Sequence, residues 1–248
     1  MTNYHIREAD SAQDMLLIET LERQIWGYSD DAVVGKDMLI ALRFEGACIA
    51  LAHDAETPIG FVLSFPTRDE GTQHSHMAGV IPAYQGQGVA HALKQYQRAW
   101  CLERGVTRVV WTYDPLRSKN AYFNIAKLGC TCTRYLPDFY GAMGGINAGA
   151  ASDRILAEWD LRAPAGKLAP LEPRVPHVHP LELREVRLEA DRFYLELPDD
   201  YGAMLEHDPE RARTWRARSR PLFVDHLGTH RITGFRREGG SAYLLERR

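Results

Sequence analysis

Apolar and polar positions alternate with two different periods along this chain, and each change of period marks an element. The opening YHIREA (4–9) alternates as a strand does. From residue 10 the period lengthens: Ile18, Leu21 and Ile25 recur on one helical stripe, with Asp10 placed to cap the helix and Gln13 three residues on. KDMLIALRF (36–44) predicts a second, short helix. Two strands follow, ACIALAHD (47–54) and PIGFVLSFP (58–66), and the polar residues and proline of DAETP between them suit a hairpin turn. QHSHMAGVI (73–81) is the next strand. The helix after it carries Val89, Leu93, Tyr96 and Trp100 on one stripe before ERG and Gly105 stop it.

The second half is less regular. TRVVWTY (107–113) predicts a strand, and DPLRSKNAYFNIAKLG a turn and a helix ending at Gly129. CTCTRYL (130–136) and RILAEWDL (154–161) read as strands on either side of a glycine-rich loop, YGAMGGINAGA. Five prolines make 162–180 a connector, its HVHP (177–180) included. Beyond it DRFYLELP predicts a strand, DPERARTWRARSRPLFVDHL a helix over part of its length, and HRITGFRR with SAYLLER a hairpin around EGG. Strands and helices are mixed without the regular alternation of a doubly wound sheet, so the expected class is mixed α/β, of the α+β kind.

Composition narrows the partners. The chain has 248 residues, 45% hydrophobic and 25% charged, enough for one large or two small globular domains. Thirty Lys and Arg against 33 Asp and Glu leave a net charge of −3, so no global basic field points to nucleic acid. Cys48, Cys101, Cys130 and Cys132 lie in apolar segments, which reads as reduced, buried thiols; Cys130 and Cys132 lack a second pair, so no metal is expected. MTNYHIREAD has no signal pattern, and no apolar run nears the ~18 residues of a membrane span. The expectation is a soluble, cytoplasmic protein without membrane partners.

The most informative stretch is VIPAYQGQGVAHALK (80–94), where a strand ends in a proline and two glycines precede a helix. A P-loop needs Lys then Ser or Thr after its second Gly; here Val89 and Ala90 follow Gly88. The dinucleotide fingerprint needs a third Gly where His91 stands. A pyrophosphate cradle fits better. Gly86 and Gly88 lack a Cβ, so the chain turns sharply and brings N–H groups close to an anion, and the helix start adds unpaired donors.

At these residues the chain resembles the GNAT superfamily of acyl-CoA-dependent N-acyltransferases. Gln85, Gly88 and Ala90 fill that family's signature, with Gly86 in the usual extra place; VIPAYQG and NAYFNIAKLG look like its approach and its later helix. The resemblance covers roughly residues 1–161 and implies a splayed, mostly antiparallel sheet flanked by helices, followed by the 162–180 connector and a smaller α/β extension over 181–248. It implies that the N–H groups of Gln85, Gly86, Gln87, Gly88, Val89 and Ala90 hold the pyrophosphate of acetyl-CoA or succinyl-CoA. It further implies that the strand over 76–81 pairs with the pantetheine arm, that Val80 N–H faces the oxyanion and that Asn120 contacts the CoA arm. No metal is implied.

Amine acylation needs a base, because an alkyl amine is mostly protonated at neutral pH. His74 and His76 stand two apart on a strand and so face one side, and an ordinary histidine titrates near about 6.5. By the resemblance, His74 falls near the glutamate base of some family members, although either histidine could serve. Many members also protonate the leaving thiolate with a tyrosine five residues before a Gly-Phe pair. Here Gly129-Cys130 stands at that pair and Ile125 at the tyrosine position, leaving Tyr122 as the nearest candidate, with Tyr113 and Tyr140 as others. The missing tyrosine keeps open a second class, a non-catalytic CoA-binding or interaction domain.

A likeness to a subgroup with a long C-terminal extension implies a small-molecule amine as acceptor, an amino acid among the options. A succinyl donor would want a cation, with Arg68 and Arg134 as candidates. The five arginines of RARTWRARSR (211–220) read as a solvated helix face or an anion site. The extension either adds strands to the sheet or makes a contact in a homodimer.

Overall fold

A computed structural model of the chain describes residues 4–141, 151–182 and 189–248. All but the first two residues of the glycine-rich YGAMGGINAGA lie outside the described residues. The chain divides into two compact units, the first running to Val110 and the second from Trp111 to Arg248.

The first unit is built in the order β1 (Tyr4–Glu8), α1 (Ala12–Trp26), α2 (Lys36–Phe44), β2 (Cys48–Asp54), β3 (Thr57–Pro66), β4 (Thr72–Val80) and α3 (Val89–Glu103). Strand β5 (Arg108–Tyr113) begins in this unit and ends in the next. β1, β2, β3 and β4 pair antiparallel in sequence order, and β4 takes the start of β5 as a parallel neighbour. Alternate residues of β2 and β3 go to opposite faces. Ile49, Leu51, Phe61 and Leu63 meet Met15, Ile18 and Leu21 of α1, while Ala50, Ala52 and Val62 meet Val89 and Leu93 of α3. Cover on both faces explains why β2 is buried along nearly its whole length instead of alternating.

Helix α1 starts one residue later than its sequence suggests. Ser11 is the cap, its hydroxyl accepting from Asp14 N–H, while the Asp14 carboxylate accepts from Ser11 N–H and from Asp10 N–H. Asp14 rather than Gln13 closes the box because it also meets the Arg7 guanidinium at 2.6 Å, which holds its carboxyl well below the usual carboxylate range.

Further along α1, Glu22 is fully buried with one carboxyl oxygen accepting from Val34 N–H at 3.2 Å and the other without a hydrogen-bond partner. Burial pushes this carboxyl up to about 7. Between the ordinary glutamate value and 7 the folded chain holds a proton that the unfolded chain releases, so stability falls as pH rises through that interval. Glu22→Gln should therefore raise Tm by about 5 °C at pH 8, from a ceiling of about 3 kcal/mol, and leave it unchanged at pH 4. Paired melting curves at the two pH values check this.

The second unit contains the end of β5, then α4 (Ser118–Ala121), β6 (Thr131–Leu136), β7 (Arg154–Asp160), β8 (His177–Val178), β9 (Arg192–Glu196), α5 (Tyr201–His207), α6 (Pro209–His226), β10 (His230–Arg236) and β11 (Ala242–Arg247). Its strands lie in the order β7-β6-β10-β11-β9-β8. β10 and β11 form the expected hairpin, and β10 pairs with β6 at Ile232↔Cys132. The C-terminal strands thus extend the sheet that holds β6. The connector is more structured than its prolines imply. His177–Val178 pairs parallel with β9, and a Cβ on Gly166 would collide with the Ile125 carbonyl.

Two other expectations change here. The helix predicted to end at Gly129 is α-helical for one turn and then π-helical over Tyr122–Lys127, with Leu128 N–H donating to Phe123 O. The arginine-rich segment does not present all its charges to water. Arg211, Arg213 and Arg218 are exposed, but Arg216 is buried and gives one guanidinium nitrogen to both Asp114 oxygens at 2.7 Å. Arg220 reaches buried Asp153 at 2.7 Å. A carboxylate within reach is what lets a guanidinium leave solvent.

All four cysteines are buried, and none is in a disulfide. Among the described residues no helix is long and apolar enough to cross a membrane, and no cluster of three or more His, Cys, Asp or Glu is placed to hold a metal ion.

Candidate functional site

The turn between β4 and α3 is built on backbone. Pro82–Tyr84 makes one 3₁₀ turn, closed by Gln85 N–H donating to Pro82 O at 3.2 Å. Gln85 then fastens the turn to its strand, its side-chain amide donating to Val80 O at 3.0 Å. Gly86 and Gly88 follow at φ 77° and 89°, left-handed values that a side chain would strain by about 1–2 kcal/mol each. A Cβ on Gly86 would meet nothing within 4 Å, so the glycine serves the turn's shape and leaves its surface bare.

Helix α3 opens at Gly88 with no side chain capping it, in contrast to α1, α5 and α6, capped by Ser11, Asp200 and Asp208. Its first backbone bond is Ala92 N–H to Gly88 O at 3.0 Å, so the N–H groups of Val89, Ala90 and His91 precede the helical ladder. The result is a concave backbone surface at the positive end of a 15-residue helix, suited to an anion. The Gln85 N–H, expected on that surface, is engaged by Pro82. Donors after it, from Gly86 to Ala90, remain the candidates.

Strand β4 leads into this turn with an irregularity. Leu63 pairs with Met77 but Ser64 with Ser75, so His76 is the extra residue of a β-bulge. His74 and His76 lie with ring centroids 6.5 Å apart, and both pack on Phe65, at 5.4 and 5.9 Å. The sequence-predicted pair is therefore brought together, on a platform that sequence reasoning missed; Phe65 pairs directly with His74 across the sheet. Half-buried His74 is lowered below its ordinary value by desolvation and by the His76 and Lys94 charges, which favours its neutral form at pH 7, whereas His76 stands exposed on the bulge with its shift in the same direction.

Ser75, between them, points the other way. It accepts from the buried Lys94 ammonium at 3.1 Å, and that ammonium also donates to Gln97 at 2.6 Å. Lys94 went unnoticed in the sequence because a lysine on an amphipathic helix ordinarily marks the solvated face. The parallel ladder to β5 joins β4 at Thr72, Gln73 and His74. Beyond it, Ile81 N–H reaches Ile59 O on β3 while Gly60 sits opposite Val80, the register that turns the Val80 N–H and C=O away from β3.

The remaining candidates, Arg68 apart, belong to the second unit. Asn120 is exposed on α4. Tyr122 opens the π turn, its ring against Phe235 at 6.2 Å with the Arg237 guanidinium 4.2 Å and the Lys127 ammonium 5.5 Å from its centre. Tyr113 is buried, its hydroxyl accepting from the Tyr243 hydroxyl at 3.1 Å, and burial drives it well above its ordinary value. Tyr140 is exposed and shares a hydrogen bond with Thr112 at 3.1 Å. Arg68 lies exposed in the β3–β4 turn, about 25 Å along β4 from the glycine turn. Arg134 is exposed on β6.

A strand whose described ladder to β5 stops at His74, ending in an uncapped Gly-Gln-Gly turn at a helix start, offers an anion a cradle of main-chain N–H groups. The Acetyltransferase (GNAT) family model matches residues 14–124, and the chain carries a GNAT-family domain there. Three solved structures are similar in fold. The ribosomal-protein-S18-alanine N-acetyltransferase of Escherichia coli is 14% identical, with a TM-score of 0.53 over 67% of this chain and 99% of its own. An N-acetyltransferase of Staphylococcus aureus Mu50 is 19% identical, at 0.52 over 64% and 99%. YncA of Salmonella typhimurium, solved with its cofactor acetyl-CoA, is 20% identical, at 0.52 over 68% and 98%. No curated protein matches the chain significantly.

Proposed function

We propose that the protein is an acyl-CoA N-acyltransferase that moves an acetyl or succinyl group onto the primary amine of a small molecule, an amino acid among the options, by direct attack in a ternary complex. The observation that carries this reading is the turn at Gly86–Ala90: two left-handed glycines, a bare surface and a helix start that no side chain caps. The diphosphate of coenzyme A fits these features, since it needs several convergent N–H donors and no bulk between them. When bound, the carrier supplies an activated thioester.

The chain's own residues do the rest. Gly86, Gln87, Gly88, Val89 and Ala90 hold the carrier's phosphates, with Gln85 bracing the turn and Asn120 contacting the arm. Val80 N–H points away from β3 and stabilises the charge that develops on the carbonyl oxygen. His74 or His76, in its neutral form, accepts the proton of the attacking amine. Tyr122 or water returns a proton to the thiolate. YncA, a relative in fold, was solved with acetyl-CoA, which supports the choice of carrier.

The test is direct. Incubated with acetyl-CoA or succinyl-CoA and a pool of amino acids, the protein should release free thiol in proportion to acceptor consumed. Binding of coenzyme A without turnover on any amine would instead favour a carrier-binding domain, a reading that Ile125 at the family's tyrosine position supports.

A further inference from the structure

A cavity of about 700 Å³ opens in the first unit at the end of β4 opposite the glycine turn, between the end of α2, the end of α3 and the β3–β4 turn. The glycine turn follows Val80, whereas the cavity is lined by Thr72 and Gln73, about 20 Å back along the strand. Its size lies within the range of small-molecule sites, about 300–1,000 Å³.

The lining carries both signs of charge. Arg43 and Arg104 face it from the helices, Glu70 from the turn and Glu8 from β1. Glu8 is partly engaged, accepting from the Trp100 indole N–H at 3.2 Å. The Arg104 guanidinium lies 4.1 Å from the Trp100 ring centre and donates to Trp100 O at 3.2 Å. Asp69, also in the lining, is paired with Arg108 at 3.2 Å. Among the described residues Arg43 and Glu70 make no ion pair, so one cation and one anion stand uncommitted around one space. At the rim Phe44 is 87% exposed. Its ring is therefore open to an apolar group of whatever enters the cavity.

We infer that this cavity is a second binding site, separate from the acyl-transfer site, for the zwitterion of an amino acid with an apolar side chain. The carboxylate goes to Arg43 and Arg104, the ammonium to Glu70, and the side chain against Phe44. A polyanion such as a nucleotide would meet Glu8, Asp69 and Glu70, and a plain cation would meet both arginines. A molecule carrying one charge of each sign satisfies both without leaving either uncompensated.

The inference does not depend on the activity proposed above. Titration calorimetry of the full chain without coenzyme A would use three probes: L-phenylalanine, 3-phenylpropionate lacking the ammonium, and phenethylamine lacking the carboxylate. L-Phenylalanine should bind about tenfold or more tightly than either analogue, as expected for losing one charge-assisted contact. Arg43→Ala and Glu70→Ala should each weaken it by a similar factor, with coenzyme A binding on the same samples unchanged. Both side chains are exposed, so melting curves should match the parent. Equal affinity for all three probes, no saturable binding, or binding indifferent to both substitutions would overturn the site.

Discussion

Gly88→Val should weaken coenzyme A binding by about a hundredfold while leaving the far-ultraviolet circular dichroism of the chain unchanged. Gly88 sits at φ 89°, where a β-branched residue is strained by about 1–2 kcal/mol or more, so the turn relaxes toward negative φ and swings its N–H groups out of register. Each charge-assisted N–H lost costs about 1.5–3 kcal/mol, and two lost together exceed a hundredfold. Packing is not the cause, since a Cβ there would find its nearest neighbour, the Tyr4 hydroxyl, at 3.7 Å. Gly86→Ala, where a Cβ would meet nothing, gives the milder companion variant. Calorimetry with coenzyme A reads both. Affinity untouched by Gly88→Val would mean that the turn does not hold the carrier.

The second large effect concerns pH. His74→Ala should lower kcat/KM by about a hundredfold at pH 7, the lower end of what a positioned base contributes. Burial and the nearby His76 and Lys94 charges lower His74, so its base form already predominates at pH 7 and the acid limb of the parent lies below about 6.5. Without the base only free amine reacts. The variant should then gain rate steadily as pH rises toward the amine's own value near 10, closing most of the gap there. His76→Ala, measured alongside, decides which ring is the base. Superimposable profiles for parent and both variants would remove the histidines from the chemistry.

What the chain disclosed by itself was its local order. The pairing of apolar residues at strand spacing, the Gly-Gln-Gly turn and the stripe of Val89, Leu93 and Trp100 each depend on neighbours within a few positions, and all stand in the fold. Features set by distant partners were not legible. Ser11 outcompetes Asp10 as a cap because Arg7 recruits Asp14. The π turn after Ala121 has Gly166, about forty residues on, lying against its backbone. Arg216 enters the interior only because Asp114, a hundred residues away, is there to meet it. The bulge at His76 has no composition of its own; it exists as a mismatch between the registers of β3 and β4. Of the site, the glycine turn was readable and the Phe65 platform and the Lys94 ammonium were not.

The sequestered sulfurs have a practical consequence. With Cys101 and Cys132 pushed by burial up to about 12, Cys48 higher still and Cys130 buried as well, the native chain offers a disulfide reagent few accessible sulfurs to attack. A chromogenic count of liberated coenzyme A therefore starts from a quiet background. The same reagent, added without acyl donor while the sample is warmed, becomes a gauge of how much of the chain has come apart.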